Sequence, residues 1–384
     1  MRTCLVGLGR IAVQLERDPL RAKPCTHAGS LLHFHKTAAR KTGFALVGVC
    51  DHNQEKIDEF QQWWRSAGRE KEKKAPAKPA RAKSANTNRK SATDAAEVPA
   101  YVDYRQLLRE TRPDFVIIAT RTDSHFAIAR DAMRQGVRGI LLEKPISLNL
   151  NDARKLERLA RETETRVWVN FERRYHPAYR LVKEYVEQET LGPLRGIQGQ
   201  VLTWPLRAGA NTASADIAGP LLHDAIHWLD LLIWYAGKPP AVHARLLESA
   251  AVPAVEDTAF VHFDYPEFQA RLESGGRRNY FEFTIQLDFE HGRIRSGNEG
   301  HFWFRSLPSK RYKNFRDLQP FTPKIPARPG YSNGNAWLNL YAEILDEMTT
   351  AKPVSYDRIA DAVAGINIVH ECTKKLGRGK ARRL

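Results

Sequence analysis

The sequence predicts a two-part chain: an α/β domain with a parallel sheet, then an α+β domain with mainly antiparallel strands. Three observations predict it. Short apolar runs alternate with helical stretches over residues 1–147. Across residues 148–373 the strands lengthen and alternate apolar with polar side chains. A chain of 384 residues also exceeds what one hydrophobic core usually serves.

In the first part, "RTCLVGL" reads as an apolar strand ending in glycine. "HAGSLLHFHKTAARKTG" reads as a helix with Gly43 as its C-cap. "FALVGVCD" is a continuous apolar strand, the kind a parallel sheet buries on both faces. "NQEKIDEFQQWW" is a helix. "YRQLLRE", "DFVIIAT", "SHFAIARDAMRQG" and "GILLEKP" then repeat helix, strand, helix, strand. Such alternation builds a parallel sheet through right-handed crossovers.

The second part opens with the helix "NDARKLERLARETE" and the strand "RVWVNFE". A helix near 178–187 precedes a long strand near 196–204. "GPLLHDAIHWLDLLIWYAG" reads as one apolar helix. "AVEDTAFVHFDY" and "YFEFTIQLDFEHGRIRS" alternate with period two, which suits antiparallel strands with one covered face. Helices near 337–349 and 359–374 close the chain.

The net charge of +16 is localised. Between residues 65 and 90 stand ten Lys/Arg and two Glu; from 374 to 384 stand six Lys/Arg and no acid. We therefore expect a disordered basic insertion at about 66–97 and a basic tail at 374–384. No helix-turn-helix, RNA-binding or zinc-finger signature accompanies the charge, so no specific nucleic-acid partner is expected. No apolar run approaches the ~20 residues of a membrane span. Met1-Arg2-Thr3 leads straight into a strand and not into a signal peptide, so a cytoplasmic location is expected. Cys4, Cys25, Cys50 and Cys372 form no CxxC pair, which argues against a disulfide framework or a thiolate zinc site.

Four motifs carry chemistry. Gly7-Leu8-Gly9-Arg10-Ile11-Ala12 fits G-x-G-x-x-[GA] directly after the first strand. The first glycine permits a tight turn, the second admits a pyrophosphate to the backbone, and the small third residue lets the helix pack close. Pro19 and Pro24 then forbid an unbroken helix, so residues 13–26 read as an inserted loop. Asp51 ends the second strand, where a carboxylate accepts adenosine ribose hydroxyls and repels a 2′-phosphate; NAD is expected over NADP. Lys144 in Glu143-Lys144-Pro145 ends the fifth strand, where it reaches both a nicotinamide ribose and a substrate hydroxyl; the plain alternative is a surface ion pair. His223, His227 and Asp230 fall at i, i+4 and i+7 on one face of an apolar helix. Polar groups there need a partner, and a satisfied buried histidine is the alternative to a ligand. A metal would need a third ligand that is not evident, so none is expected.

With these residues in view the chain resembles the glucose–fructose oxidoreductase / inositol dehydrogenase (Gfo/Idh/MocA) family, over nearly all its length outside the insertions and tail. "PDFVIIATRTDSHFAIA" is similar to the family's fourth strand with its following histidine, here His125, and Arg121 stands after Thr120 where proline is usual. "LLEKPIS" is the family signature. "VNFERRYHPAYR" is similar to the aromatic-Asn-Arg-Arg-aromatic-x-Pro segment, supplying Arg173, Arg174, Tyr175 and Pro177. In the apolar helix an Asp four residues before the histidine is common; aligned on His227, that place holds His223, with Asp224 one step on. The resemblance implies an NAD-dependent dehydrogenase or reductase acting on a sugar, cyclitol or sugar derivative. It implies catalytic roles for Lys144, which holds the reacting hydroxyl, and His227, which takes its proton, with His223 and Asp224 beside them. It implies substrate contacts from Arg174, Tyr175, Asp224 and His227. It implies cofactor contacts from Gly7, Leu8, Gly9, Arg10, Ile11, Ala12, Asp51, Thr120, Arg121, His125, Glu143 and Lys144. It further implies a large open sheet in the second domain and a homodimer or homotetramer. The rival reading is an NAD-binding member without net redox turnover, either a regulator or an NAD-dependent glycosidase; Lys144 and His227 favour an enzyme.

Overall fold

The computed structural model describes residues 1–35, 43–73, 97–205, 219–374 and 376. The end of the expected first helix (36–42), most of the basic insertion (74–96) and most of the tail lie outside the described residues.

Six parallel strands form the first sheet: β1 (Arg2–Val6), β2 (Ala45–Cys50), β3 (Ala100–Tyr101), β4 (Phe115–Ile118), β5 (Gly139–Leu142) and β6 (Arg166–Val169), in the order β3-β2-β1-β4-β5-β6. The order reverses at β1, the doubly wound topology that opens a ligand crevice beyond the strands' carboxyl ends. Every residue of β4 and β5 is buried, which is why these segments read as continuous apolar runs. The crossovers carry α1 (His27–His33), α2 (Gln54–Lys73), α3 (Tyr104–Thr111), α4 (Thr122–Arg134) and α5 (Leu150–Glu162). Because "RVWV" pairs in parallel with β5, this sheet reaches Val169, beyond the expected boundary at 147.

Two other boundaries differ from expectation. α2 runs to Lys73, into the stretch expected to be disordered from 66. Ala, Arg, Glu and Lys are strong helix formers, so a charge-rich stretch also suits a solvated helix. α1 stops at His33 with Phe34 as its C-cap, and residues 36–42 before Gly43 lie outside the described residues. The chain turns there to enter β2: Phe44 N donates to Phe34 O at 3.1 Å, and the two rings meet at 6.2 Å.

The glycine motif starts a helix that is interrupted and then resumed. Val13 N donates to Gly9 O, and a 3-10 turn follows at Gln14–Arg17. After the inserted loop, His27 N and Ala28 N donate to Ile11 O and Ala12 O, so α1 continues the helix left at Val13. Thr26 caps α1 through Gly29 N. The Glu16 carboxylate ties the loop down by accepting from Cys25 N at 3.0 Å and Thr26 Oγ1 at 2.7 Å. It sits against Gly29, where a Cβ would lie 2.4 Å from it.

The second sheet has eight strands in the order β14-β13-β12-β11-β7-β10-β9-β8. They are β7 (Leu194–Leu202), β8 (Ala241–Glu248), β9 (Glu256–Asp264), β10 (Gln269–Gly275), β11 (Glu282–Phe289), β12 (Gly292–Gly297), β13 (Gly300–Pro308) and β14 (Arg316–Phe321). Only the β7–β10 pair is parallel. Burial alternates strictly along β11, matching the period-two reading. One face packs on α6 (Pro177–Glu187), α7 (Pro220–His223), α8 (Ile226–Ala236) and α10 (Asp357–Thr373). Trp228 of α8 stacks on Phe263 at 5.9 Å, in space that Gly199 leaves on β7. The expected single helix from Gly219 to Gly237 is therefore two, broken at Asp224–Ala225. α9 (Ala336–Thr349) and α10 return to pack on the first domain.

Candidate active site

A cleft of about 980 Å³ opens at the carboxyl ends of β1, β2, β4 and β5. Gly7, Gly9, Arg10, Ile11, Asp51, Thr120, Arg121, Glu143 and Lys144 line it from the first domain. Asn170 at the end of β6, Glu172, His223, His227 and Trp337 also line it, and Leu15, Arg21 and Cys25 come from the inserted loop.

The glycine turn fits a dinucleotide. Gly7 has φ +91° and a Cβ there would lie 2.5 Å from Ala119 O, so only glycine serves. A Cβ at Gly9 would meet nothing within 4 Å, so the backbone there faces open space. Asp51 is buried at the tip of β2, where Oδ2 accepts from Leu8 N at 2.8 Å and Oδ1 from Asn53 N at 3.0 Å. Lys56 stands 3.8 Å from the same carboxylate. A carboxylate has about four lone-pair sites, so Asp51 keeps acceptors free toward the cleft that it lines.

Lys144 Nζ donates to His223 O at 2.8 Å, spanning the cleft from β5 to the broken helix. The break makes this possible: α7 ends at His223, whose imidazole turns outward, 63% exposed. His227, one turn on, is 13% exposed and lies edge-on to Phe171 at 5.7 Å. Burial first, then its neighbours Lys144, Arg173 and His223, push its imidazole well below the usual histidine range. It therefore stays neutral, as a proton acceptor must.

Below the cleft floor runs a buried polar chain. Tyr341 on α9 meets His27 Nδ1 at 2.8 Å, and His27 Nε2 meets Glu143 Oε1 at 2.8 Å. Asn170 donates to the same oxygen at 2.5 Å. Burial alone would lift the Glu143 carboxyl; His27, Asn170 and Lys144 hold it below the usual carboxylate range. Glu143 thus spends much of its hydrogen-bonding capacity inside the protein. His125 lies outside the cleft lining, bridging Pro145 O at 3.0 Å and Thr120 O at 3.2 Å, which sets two cleft-lining loops against each other. Leu8 and Ala12 are likewise buried under the turn; Leu8 contributes its backbone N–H to Asp51.

Three expected substrate contacts do not reach the cleft. Arg174 is held by Asp230, through Nε at 2.8 Å and Nη2 at 2.6 Å, and by Asp361 at 2.9 Å. It is a buried ion-pair centre joining the 172–175 turn to α8 and α10. Asp230 therefore answers Arg174 and not the histidines. Tyr175 is 2% exposed in the core, with Arg180 over its ring. Asp224 falls in the helix break beside the outward His223, 3.4 Å from its Nδ1. Sequence reasoning had missed Glu172, Asn170 and Trp337. The first two flank Phe171 in the very segment that was singled out; Trp337 carries no motif.

Residues 1–171 match the profile "Oxidoreductase family, NAD-binding Rossmann fold", and residues 179–295 match "GFO/IDH/MocA C-terminal domain". The chain belongs to the Gfo/Idh/MocA family of NAD-binding oxidoreductases. It is 33% identical to UDP-N-acetylglucosamine 3-dehydrogenase of Acidithiobacillus ferrooxidans over 175 residues, covering 44% of this chain and 51% of that protein. It is 24% identical to mouse trans-1,2-dihydrobenzene-1,2-diol dehydrogenase over 288 residues, covering 72% of this chain and 82% of that one. The chain spans 37 and 41% of the length of two matched oxidoreductases from Bacillus subtilis and Synechocystis. Among solved structures, the A. ferrooxidans enzyme superposes with TM-score 0.69 at 20% identity, over 100% of this chain and 99% of that one. An inositol dehydrogenase homologue from Azotobacter vinelandii, crystallised with NAD+, gives TM-score 0.69 at 19% identity, over 99% and 96%.

Proposed function

We propose that this chain uses NAD to oxidise a hydroxyl, or reduce the matching keto carbon, of a sugar, cyclitol or sugar derivative. One observation carries the reading: Lys144 and His227, 83 positions apart in sequence, face the same cleft as the glycine turn and Asp51. When bound, NAD supplies the hydride acceptor at its nicotinamide. Gly7, Gly9 and Arg10 would hold its phosphates and Asp51 its adenosine ribose. Lys144 keeps two of its three donors beyond His223 O, enough to hold the reacting hydroxyl. His227 takes that hydroxyl's proton on the nitrogen that faces the cleft. Two relatives are dehydrogenases of sugar or cyclic-diol hydroxyls by name, which supports the substrate class.

The test is NAD reduction, followed by absorbance, across a panel of sugars, cyclitols and nucleotide sugars. Turnover that is lost in Lys144→Ala and His227→Ala supports the reading; no turnover on any member sinks it. A cytoplasmic homodimer or homotetramer belongs to the same proposal. Its support is four free cysteines and exposed Phe260, Phe302 and Leu247 on the second sheet, and light scattering tests the assembly.

A further inference from the structure

His227 has a partner problem. Its Nδ1 is buried and makes no hydrogen bond among the described residues. A buried imidazole nitrogen without a partner costs free energy and leaves the ring's tautomer unset. The turn before His227 does not help: it presents the carbonyl of His223 to Lys144 and sends Asp224 outward. The carboxylate facing Nδ1 comes instead from the 3-10 turn Glu172–Tyr175, where Glu172 Oε2 stands 3.6 Å away.

Glu172 is itself held. Its other oxygen, Oε1, accepts from Arg173 Nη1 at 2.9 Å, and the Arg173 guanidinium lies over the Phe283 ring at 3.9 Å. Phe283 sits in β11, so the second sheet fixes the arginine, the arginine fixes one carboxylate oxygen, and the free oxygen is aimed at the imidazole. A movement of under about 1 Å turns this contact into a hydrogen bond, and catalytic hydrogen bonds commonly tighten once substrate is seated.

We propose that Glu172 is the positioning carboxylate of His227: it accepts the Nδ1 proton, fixes the tautomer that leaves Nε2 free for the substrate, and stabilises the imidazolium formed when the proton arrives. The step needs no reactant beyond the substrate and the NAD of the proposed function, which would take the hydride. The substrate O–H bond breaks, its proton bonds to Nε2, and the positive charge on the ring is opposed by Glu172. The inference rests on the reading of His227 as the base. Lys144, Arg173 and His223 face the same ring and all oppose a positive charge on it, which makes one facing carboxylate matter more.

Two experiments test it. Glu172→Gln keeps the shape and removes the charge. Its kcat should fall about tenfold or more while the sugar KM moves little, because the carboxylate acts on a charge made in the transition state. The acid limb of its pH profile should move to lower pH, since the ring loses the group that favours its protonation. Glu172→Asp should restore part of kcat. A rise in KM with kcat and pH profile unchanged would make Glu172 a plain sugar contact and overturn the proposal. The second experiment needs no turnover. In protein labelled with 15N-histidine, His227 should carry its proton on Nδ1 and lose that preference in Glu172→Ala. The wild-type tautomer persisting in Glu172→Ala overturns the proposal even where the substrate is known. A silent sugar panel would count against the dehydrogenase reading and leave the tautomer result standing by itself.

Discussion

Replacing Arg174 with alanine separates a structural role from a substrate role. The side chain is 11% exposed and its partner Asp230 2%. Truncation leaves Asp230 buried without its cation, and breaking one side of a buried pair costs about 3–5 kcal/mol. For a chain of 384 residues, at about 1.2 °C per kcal/mol, the melting temperature should drop by roughly 4–6 °C near neutral pH. The pH dependence has a definite sign. Desolvation already lifts the Asp230 carboxyl from 3.8 to about 6 against the pull of Arg174. A folded-state value above the unfolded one means the folded chain binds the extra proton, so the contribution to stability falls as pH rises through that window. Without Arg174 the folded value climbs further and the window widens upward. The melting deficit of Arg174→Ala should therefore be larger at pH 8 than at pH 5.5, as read by circular dichroism. Arg174→Ala combined with Asp230→Ala should recover part of the loss, because the stranded charge is gone. A deficit under about 1 kcal/mol together with a tenfold rise in sugar KM would refute this account and return Arg174 to the substrate.

Other outcomes follow from the same geometry. Calorimetric titration should show NAD binding more tightly than NADP, and Asp51→Ala should narrow the gap; parity in the wild type would contradict the role of that carboxylate. His227→Ala should lower turnover about 10²–10⁴-fold with NAD affinity nearly unchanged, whereas Lys144→Ala should harm both turnover and sugar affinity. The acid limb of kcat should lie well below pH 6.5, because burial and neighbouring cations keep His227 neutral there; a limb above pH 6.5 would point to another base. Gly29→Ala should push the Glu16 carboxylate off α1, free the 14–26 loop to early proteolysis and weaken substrate binding; unchanged protease sensitivity would show that Glu16 does not anchor it.

The parallel sheet was legible because its central strands are buried on both faces and read as unbroken apolar runs. The glycine turn, Asp51 and Lys144 were legible because each sits at a strand's carboxyl end. β3, β8, β10, β13 and β14 were not read: β3 is two residues long, and the edge strands β8 and β14 are largely solvated, with β14 interrupted by Pro320. Arg174 misled because a motif arginine looks the same whether it faces a sugar or a buried aspartate. Only packing decided it, by placing Asp230 and Asp361 on either side. Glu172 was hidden for the converse reason. A carboxylate 55 positions before its histidine has no local signature, and the two meet only because the 172–175 turn docks against α8.

The resumed helix at the glycine turn has a further consequence. His27 and Ala28 occupy the places that Leu15 and Glu16 would hold in an unbroken helix, so the excursion between them leaves the helical register intact. A segment spliced in this way can lengthen, shorten or change composition while the phosphate turn and the packing of α1 stay as they are. It contributes Leu15, Arg21 and Cys25 to the cleft wall. The nucleotide half of the site is thus insulated from changes in the wall beside it, and this lineage can alter what it accepts by editing a loop while keeping how it holds its dinucleotide.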